Sequence, residues 1–244
     1  MSNSMTAVYM LLGFSLVAGL FLYLTVLDAG RWRKKIEAAL LPMGFEICLS
    51  SEEMAVLEQR LLIVNPRHQG KRLLMNLYRR ASPDGSHDLY FCDYRFASAS
   101  GKARGVQLLL VCLISRELNL PRFTIDSIPE TPAIIGKLFH GLSEALPMPD
   151  MERIETGNAE LDARFRIYSY SEQMKQVLPL LEPVITELRS GGGICVNAEG
   201  DSLILSSIEI GADLVRHELN SKKLLNLICV TSNLFEITRQ YPHV

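Results

Sequence analysis

The hydrophobic and polar positions of the chain separate one long uncharged run from a series of shorter, periodic segments. Residues 5–27 carry no charge, and a helix of that length would reach about 34 Å, enough to cross a hydrocarbon core of about 30 Å. Tyr9 and Tyr23 lie towards its two ends, where aromatic side chains favour the headgroup level. The run predicts a transmembrane helix over 5–27, with residues 1–4 as a short extracytoplasmic N-terminus.

Four basic residues follow this run and none precedes it: Arg31, Arg33, Lys34 and Lys35. By the positive-inside rule, the chain is predicted to cross the inner (cytoplasmic) membrane once, with its C-terminal domain in the cytoplasm. A cleaved signal peptide is the rival interpretation. It would need positive charge ahead of a shorter apolar core and a small-residue cleavage site behind it, and the run has neither.

Residues 28–130 have the pattern of juxtamembrane helices followed by a β-meander subdomain. Helical spacing predicts helices over 31–41 and 51–62, the second opened by a capping box in which Ser50 and Glu53 satisfy each other's backbone N–H groups. Runs in which successive residues alternate between two faces, or which are apolar throughout, then predict four strands: 73–80, 88–96, 106–114 and 122–125. Because these runs follow one another closely, antiparallel pairing is the simplest arrangement.

Residues 131–244 are predicted to form a β-α-β-β-α subdomain behind a connecting helix. A second capping box, Ser169–Glu172, opens a helix that Pro179 and Pro183 interrupt, which predicts a kink or two short helices. Its predicted apolar stripe is Met174, Val177, Leu178, Leu181, Val184, Ile185 and Leu188. The other predicted elements are helix 131–146, strand 165–168, hairpin strands 194–198 and 203–207, and a closing helix 212–238 broken near Asn220–Ser221. The predicted fold class is α+β: a single N-terminal transmembrane helix followed by an antiparallel-sheet domain with flanking helices.

Three stretches resemble a family of uncharacterised bacterial membrane-anchored proteins. They are LYFCDYRFASASGKARG, LNLPRFTI and NAELDARFRIYS, which carry an aromatic-Asp-Tyr hairpin, a Leu-Pro-x-Phe strand and an Asp-x-x-Phe-x-Ile stretch. The similarity covers most of residues 73–207. It implies a short N-terminal anchor and an α+β cytoplasmic domain. The family has no known activity, so the resemblance implies no functional residues.

Charge is unevenly distributed along the chain. The net charge is −2, yet residues 60–104 carry nine basic residues against three aspartates, and residues 105–244 are net −6. The cluster Arg31, Arg33, Lys34 and Lys35 is a candidate contact with anionic lipid, together with the basic segment, at about 1 kcal/mol per well-placed basic residue. For the 60–104 segment, the favoured interpretation is that it faces the acidic half of the same fold or is solvated.

The cysteines, histidines and carboxylates of the chain do not form a catalytic or metal-binding sequence pattern. The five cysteines are widely spaced and indicate reduced thiols rather than a disulfide framework. The histidines lack metal-ligand spacing, and Gly191–Gly193 follows a predicted helix, the reverse of a phosphate-binding loop. Asp93, Asp126, Glu130 and Asp162 could form a site only if the fold gathers them. The sequence therefore predicts no catalytic residue, no cofactor and no metal.

Some residues have simple structural interpretations. Cys92 and Cys112 fall within predicted strands and are expected to pack as small hydrophobic side chains, with Asp93 as a structural hydrogen-bond partner. Aromatic residues interleave with the basic segment, as in single-strand nucleic-acid binders. The negative net charge and the predicted tether argue against a nucleic-acid partner.

The function favoured by these observations is non-catalytic. The chain is expected to be a membrane-tethered protein-interaction or scaffold module, which binds a protein partner through an exposed strand edge or the apolar face of a helix. One alternative is an enzyme or ligand-binding domain that acts on a membrane-associated small molecule, marked by a pocket that gathers the residues named above. Another is a sensor of anionic lipid surfaces.

Overall fold

The chain divides into two compact units, Met1–Met43 and Gly44–Val244. In a computed structural model, the residues described are 30–48, 50–63, 72–96, 106–128, 150–191, 193–207 and 220–241. The first unit contains helix α1 (residues 30–40) and a 3₁₀ turn, Leu41–Met43. No helix in the described part of the chain has the length and apolar character needed to cross a bilayer. The predicted span, residues 5–27, lies outside that part, as does the predicted helix 131–146.

The second unit is built on a sheet whose nine described strands are all antiparallel to their neighbours. The strands are β1 (Glu46–Ile47), β2 (Arg72–Ala81), β3 (Asp88–Phe96), β4 (Val106–Ile114), β5 (Leu120–Ser127), β6 (Glu152–Ile154), β7 (Phe165–Ser169), β8 (Ile194–Gly200) and β9 (Ser202–Ser207). Their order is β1-β2-β3-β4-β9-β8-β5-β7-β6. The structure thereby confirms the predicted α+β class with an antiparallel sheet.

Helices flank this sheet. They are α2 (Ser51–Arg60), α3 (Ala159–Arg164), α4 (Met174–Gly191) and α5 (Ser221–Thr238), with 3₁₀ turns at Leu61–Ile63 and Ser171–Gln173. Helix α5 packs against β4 and β9, and α4 packs against α5 and β5. Strand β5 lies between β8 and β7, so a single sheet takes strands from both halves of the sequence.

One row of apolar side chains crosses the whole sheet on a single face. Directly opposite residues in neighbouring strands share a face, and the register pairs the following residues in turn: Ile47, Tyr78, Phe91, Val111, Leu205, Val196, Ile125, Ile167 and Ile154. We call this side face B. From Tyr78 onwards every member of the row is buried, and the two long helices contact three of its strands, α5 on β4 and β9 and α4 on β5.

The opposite side, face A, is covered by α2 over the first half of the sheet. Leu57 and Leu61 are fully buried there. They pack in one cluster with Cys48, Leu77, Tyr90, Cys92, Tyr94, Leu110, Cys112 and Ile204. The expectation that Cys92 and Cys112 pack as small hydrophobic side chains is confirmed, as is the predicted alternation of β3.

The residues that cap the helix N-termini agree with the sequence predictions only in part. Ser50 Oγ accepts a hydrogen bond from the backbone N–H of Glu53 at 3.4 Å, as predicted, but the Glu53 carboxylate bonds Arg79 and Cys48 instead of closing the capping box. The capping box at Ser169–Glu172 is wrong, because the Ser169 hydroxyl donates to the carbonyl of Arg122 and the cap position has no side-chain hydrogen bond. Asn220 caps α5, so a helix begins at Ser221 as the predicted break requires, while the part of the predicted closing helix before it, residues 212–219, lies outside the described residues.

Helix α4 differs from its prediction in two respects. It is one helix of 18 residues that contains both Pro179 and Pro183, so the alternative of two short helices is wrong. Leu178 is 48% exposed, whereas Leu180, which the predicted stripe does not include, is buried. The apolar surface that packs on α5 and β5 keeps the helix continuous despite the two missing N–H donors.

Candidate functional sites

The basic cluster that follows the apolar run lies on α1. Arg31, Arg33, Lys34 and Lys35 are all exposed. Helical spacing places Arg31, Lys34 and Lys35 on one side, while Arg33 Nε pairs with Glu37 Oε1 at 2.8 Å. The predicted lipid-contact residues are therefore side chains that solvent reaches.

The two edges of the sheet differ in chemistry. Strand β6 forms one edge, is three residues long, and exposes Glu152 and Arg153. A short edge strand with exposed charge is the usual protection against pairing with another chain. At the other edge, β1 contributes only two residues, which pair with Tyr78 and Arg79 of β2.

The first half of β2 consequently has an open outer side among the described strands. Residues 72–76 lie beyond the reach of β1, and no other described strand pairs with them there. Leu73 is 52% exposed, and Leu74 and Met75 are half-buried. A bulge at Asn76–Leu77, with Asn76 at φ +49°, separates this stretch from the part of β2 that β1 covers. We call residues 72–76 the β2 edge.

A charged network ties α2 to the β2–β3 hairpin. Arg79 Nη1 lies 2.6 Å from Glu53 Oε1, and Arg79 Nη2 lies 3.1 Å from Asp88 Oδ1. The Cys48 thiol donates to Glu53 Oε2 at 2.9 Å, and burial is the main cause that raises its pKa above the usual value. Arg60 pairs with Asp201 at 2.7 Å, so the basic segment does face the acidic half of the chain at this point.

The second half of face A is polar. The register aligns Leu110, Ser206, Cys195, Asp126 and Arg166 in one row across β4, β9, β8, β5 and β7. The next row is Cys112, Ile204, Asn197, Thr124 and Tyr168. Both rows begin apolar under α2 and become polar beyond β4 or β9. We call the seven polar members, Thr124, Asp126, Arg166, Tyr168, Cys195, Asn197 and Ser206, the polar half-face.

These side chains are not freely solvated. Thr124 is fully buried and Asn197 is 5% exposed, with the Thr124 hydroxyl donating to Asn197 Oδ1 at 3.0 Å. The Cys195 thiol is hydrogen-bonded to the Asp126 carboxyl, and burial raises the pKa of both groups. The other members are half-buried. A thiol with a raised pKa is a poor nucleophile near neutral pH.

Arg122 borders the polar half-face. Two residues, Pro121 and Arg122, oppose Glu199 alone in a bulge of β5, a position at which a strand tolerates proline. Arg122 Nη1 lies 2.8 Å from Glu199 Oε2, and its backbone carbonyl accepts the Ser169 hydroxyl. The arginine therefore joins three segments that are distant in sequence.

The structure does not bring together the three described carboxylates of the four named from the sequence. Asp93 is fully buried on face B, where its carboxylate accepts from Asn76 Nδ2 at 3.5 Å, in agreement with a structural role. Asp162 accepts hydrogen bonds from the N–H and hydroxyl of Thr156, which lower its pKa. Asp126 instead meets Cys195, and Glu130 lies outside the described residues.

In the described part of the chain, the histidine and the glycines discussed above have structural surroundings. Of the five histidines, only His87 is described, and its ring lies 4.5 Å from that of Phe235, measured between centroids. Helix α4 ends at Gly191 and Gly193 has φ +60°, which agrees with the predicted helix stop. In the described part of the chain, no three His, Cys, Asp or Glu side chains are arranged to hold a metal ion.

Comparison of the chain with protein-family models, with curated proteins and with solved structures gave no match. The resemblance to membrane-anchored proteins therefore stays a prediction.

The sequence analysis above does not predict the polar half-face, although the residue pattern of β5 contains part of the signal for it. In β5, Arg122, Thr124 and Asp126 alternate with Phe123 and Ile125. Such alternation predicts one polar and one apolar side. Only the pairing of β5 with β8 and β7 shows which polar residues meet.

Proposed function

We propose that this chain is a membrane-tethered cytoplasmic module that binds an extended segment of another protein at the β2 edge. Residues 5–27 would cross the inner membrane once, and the basic residues of α1 would hold the following domain on the cytoplasmic side. The proposed role is that of a scaffold or adaptor, without catalysis.

The observation that carries this proposal is the contrast between the two sheet edges. The β6 edge is short and charged, whereas the β2 edge presents Leu73, Leu74 and Met75 beside a backbone with which no other described strand pairs on its outer side. A second strand added there would pair its backbone with residues 72–76 and pack an apolar side chain on Leu73. Monomeric proteins ordinarily protect such an edge.

Copurification of edge variants tests this function. Leu73→Asp places a charge of low strand propensity at the proposed interface, and Arg153→Asp makes a comparable change at the β6 edge. Tagged full-length chain is purified from native membranes in wild-type and both variant forms. We expect one stoichiometric protein partner that Leu73→Asp loses and Arg153→Asp keeps. Equal recovery with both variants would contradict binding at the β2 edge.

A second candidate function, contact of α1 with anionic lipid, rests on the exposure of all four basic residues. The full chain in nanodiscs that contain phosphatidylserine is expected to protect Arg31, Lys34 and Lys35 from chemical modification, and salt should weaken this protection. Protection that salt does not change, or that is equal in neutral nanodiscs, would oppose it.

A further inference from the structure

Helix α2 has little apolar contact with the rest of the domain. Among its ten residues, all of them described, only Leu57 is buried, and Leu61 is fully buried in the 3₁₀ turn that follows. Helix α5, by comparison, buries eight of its 18 residues. A helix of ten residues is not stable in water without tertiary packing. The position of α2 therefore depends on a few contacts with the sheet.

Ion pairs tie both ends of α2 to the sheet. Near its start, Glu53 Oε1 lies 2.6 Å from Arg79 Nη1 of β2. At its last residue, Arg60 Nη2 lies 2.7 Å from Asp201 Oδ2, in the turn between β8 and β9. The four side chains are between 30% and 40% exposed. Because solvent reaches these ion pairs, dissolved salt weakens them.

The surface under α2 is apolar and belongs to strands that pair without the helix. Leu110 and Ile204 pack there, in the cluster that contains Leu57 and Leu61. Leu74 of the β2 edge packs against the same cluster. Strands β2, β3, β4 and β9 form their backbone pairs with one another. Displacement of α2 would therefore expose part of face A and leave the strand pairing intact.

We propose that α2 and the turn Leu61–Ile63 form a strap that opens from face A as one unit while the sheet stays folded, and that the two ion pairs hold it closed. Regions with few buried apolar contacts open locally, at a lower free energy than the whole domain. The hydrogen bond from Arg122 to the Ile63 carbonyl breaks in the same motion. Opening does not depend on the proposed function, whereas its consequence for partner binding, through Leu74, rests on that function.

Hydrogen exchange of the full chain in neutral detergent micelles tests the strap. Mass spectrometry of peptides compares amide protection in α2 with that in β4. We expect the hydrogen-bonded amides of α2 to share one protection factor, at least about tenfold below that of β4. Low urea should accelerate exchange steeply in β4 and only slightly in α2, because opening of α2 exposes less surface than global unfolding. Equal protection with equal urea dependence would overturn separate opening.

Two variants and one control separate the opening of α2 from the unfolding of the sheet. Arg60→Gln removes an ion pair that the open and the unfolded chain both lack, so it should raise exchange in α2 and β4 alike, by about two- to fivefold. Val196→Ala removes packing on face B that the open chain keeps, so it should raise exchange in β4 and leave α2 unchanged. Arg116→Gln removes an exposed charge outside these pairs and should change neither.

Salt provides an independent check of the ion pairs. About 0.5 M KCl should raise exchange in α2 of the wild type, and by a smaller factor in Arg60→Gln. An equal rise in α2 and β4 with Val196→Ala would show that α2 unfolds only with the sheet. Unchanged exchange in α2 with Arg60→Gln and with salt would overturn the role of the ion pairs. If Val196→Ala fails to fold by circular dichroism, the urea dependence of the wild type decides.

Discussion

The guanidinium of Arg122 donates a hydrogen bond from Nη2 to the carbonyl oxygen of Ile63, with 2.6 Å between the two atoms. Ile63 ends the 3₁₀ turn that follows α2, so this bond joins the turn after the helix that covers face A to β5, which lies between β8 and β7 in the sheet. The Arg122 side chain is 5% exposed, and its charge is balanced by Glu199. Carbonyl groups at a helix C-terminus attract cations, which explains an arginine at this place.

Replacement of Arg122 should be costly. Arg122→Met removes the bonds to Ile63 and Glu199 and is expected to lower the free energy of unfolding by about 2–4 kcal/mol. Glu199→Gln keeps a side-chain oxygen that can accept from Arg122 and leaves the bond to Ile63 in place, so it should cost less than Arg122→Met. Denaturant unfolding of both variants measures the difference. Equal losses would show that Arg122 does not hold the turn after α2.

Because α2 packs on face A, neighbouring residues of this helix differ in burial. Leu57 is fully buried and Val56 is 50% exposed. Leu57→Ala should lower the free energy of unfolding by about 2–5 kcal/mol because a cavity is left under the helix. Val56→Ala should change it by at most about 0.5 kcal/mol. Similar values for the two variants in denaturant unfolding would oppose the packing of α2 described above.

Cysteine reactivity should follow burial. Cys229 is exposed on α5, whereas Cys92 and Cys112 are fully buried and burial raises the pKa of both thiols. The thiolate is the reactive form. N-ethylmaleimide should therefore label Cys229 in the native chain and reach Cys92 and Cys112 only after unfolding. Mass spectrometry of the peptides identifies the modified residues, with Cys229→Ser as the control. Early labelling of Cys92 or Cys112 would be inconsistent with the core.

His87 should make the fold less stable in mild acid. Burial lowers its pKa below 6.5 in the folded chain, so the unfolded chain binds the proton more readily. The contribution to stability is present above pH 6.5 and is lost as the pH falls through the folded pKa. Asp84, Asp88 and Glu236 favour the charged form and Arg80 opposes it.

Melting temperatures between pH 5 and pH 8 test this dependence. Wild type should lose stability towards pH 5, and His87→Gln should show a smaller loss over the same range. Ser86→Ala removes the hydroxyl that lies 2.9 Å from His87 Nδ1 and leaves the titrating ring, so its pH dependence should remain close to wild type. An unchanged slope in His87→Gln would assign the pH dependence to other groups.

The local pattern of hydrophobic and polar residues was sufficient to predict the bounds of several strands. It was insufficient to predict the order of the strands in the sheet. Alternation in β3 and the apolar run of β4 predicted both strands with the observed bounds, 88–96 and 106–114. The placement of β5 between β8 and β7 depends on pairings such as Thr124 with Asn197, residues 73 positions apart, for which local periodicity has no signal.

The same limit applies to individual side chains. Ser50 was correctly predicted to cap α2, because that bond spans three residues, but the partner of Glu53 is Arg79, which lies 26 positions away. For the polar half-face, alternation in β5 showed that Asp126 shares a side with Thr124. The meeting of Asp126 with Cys195 depends on strand pairing across the sheet.

The measurement that tests the proposed function most directly is site-specific photocrosslinking in native membranes. A benzoylphenylalanine residue is placed at position 73, on the β2 edge, and in a separate variant at position 153, on the β6 edge. We expect one discrete adduct with another protein from position 73 and none from position 153. An adduct of twice the chain mass would indicate self-association instead. Identical adducts from the two positions, or none from position 73, would contradict binding at the β2 edge.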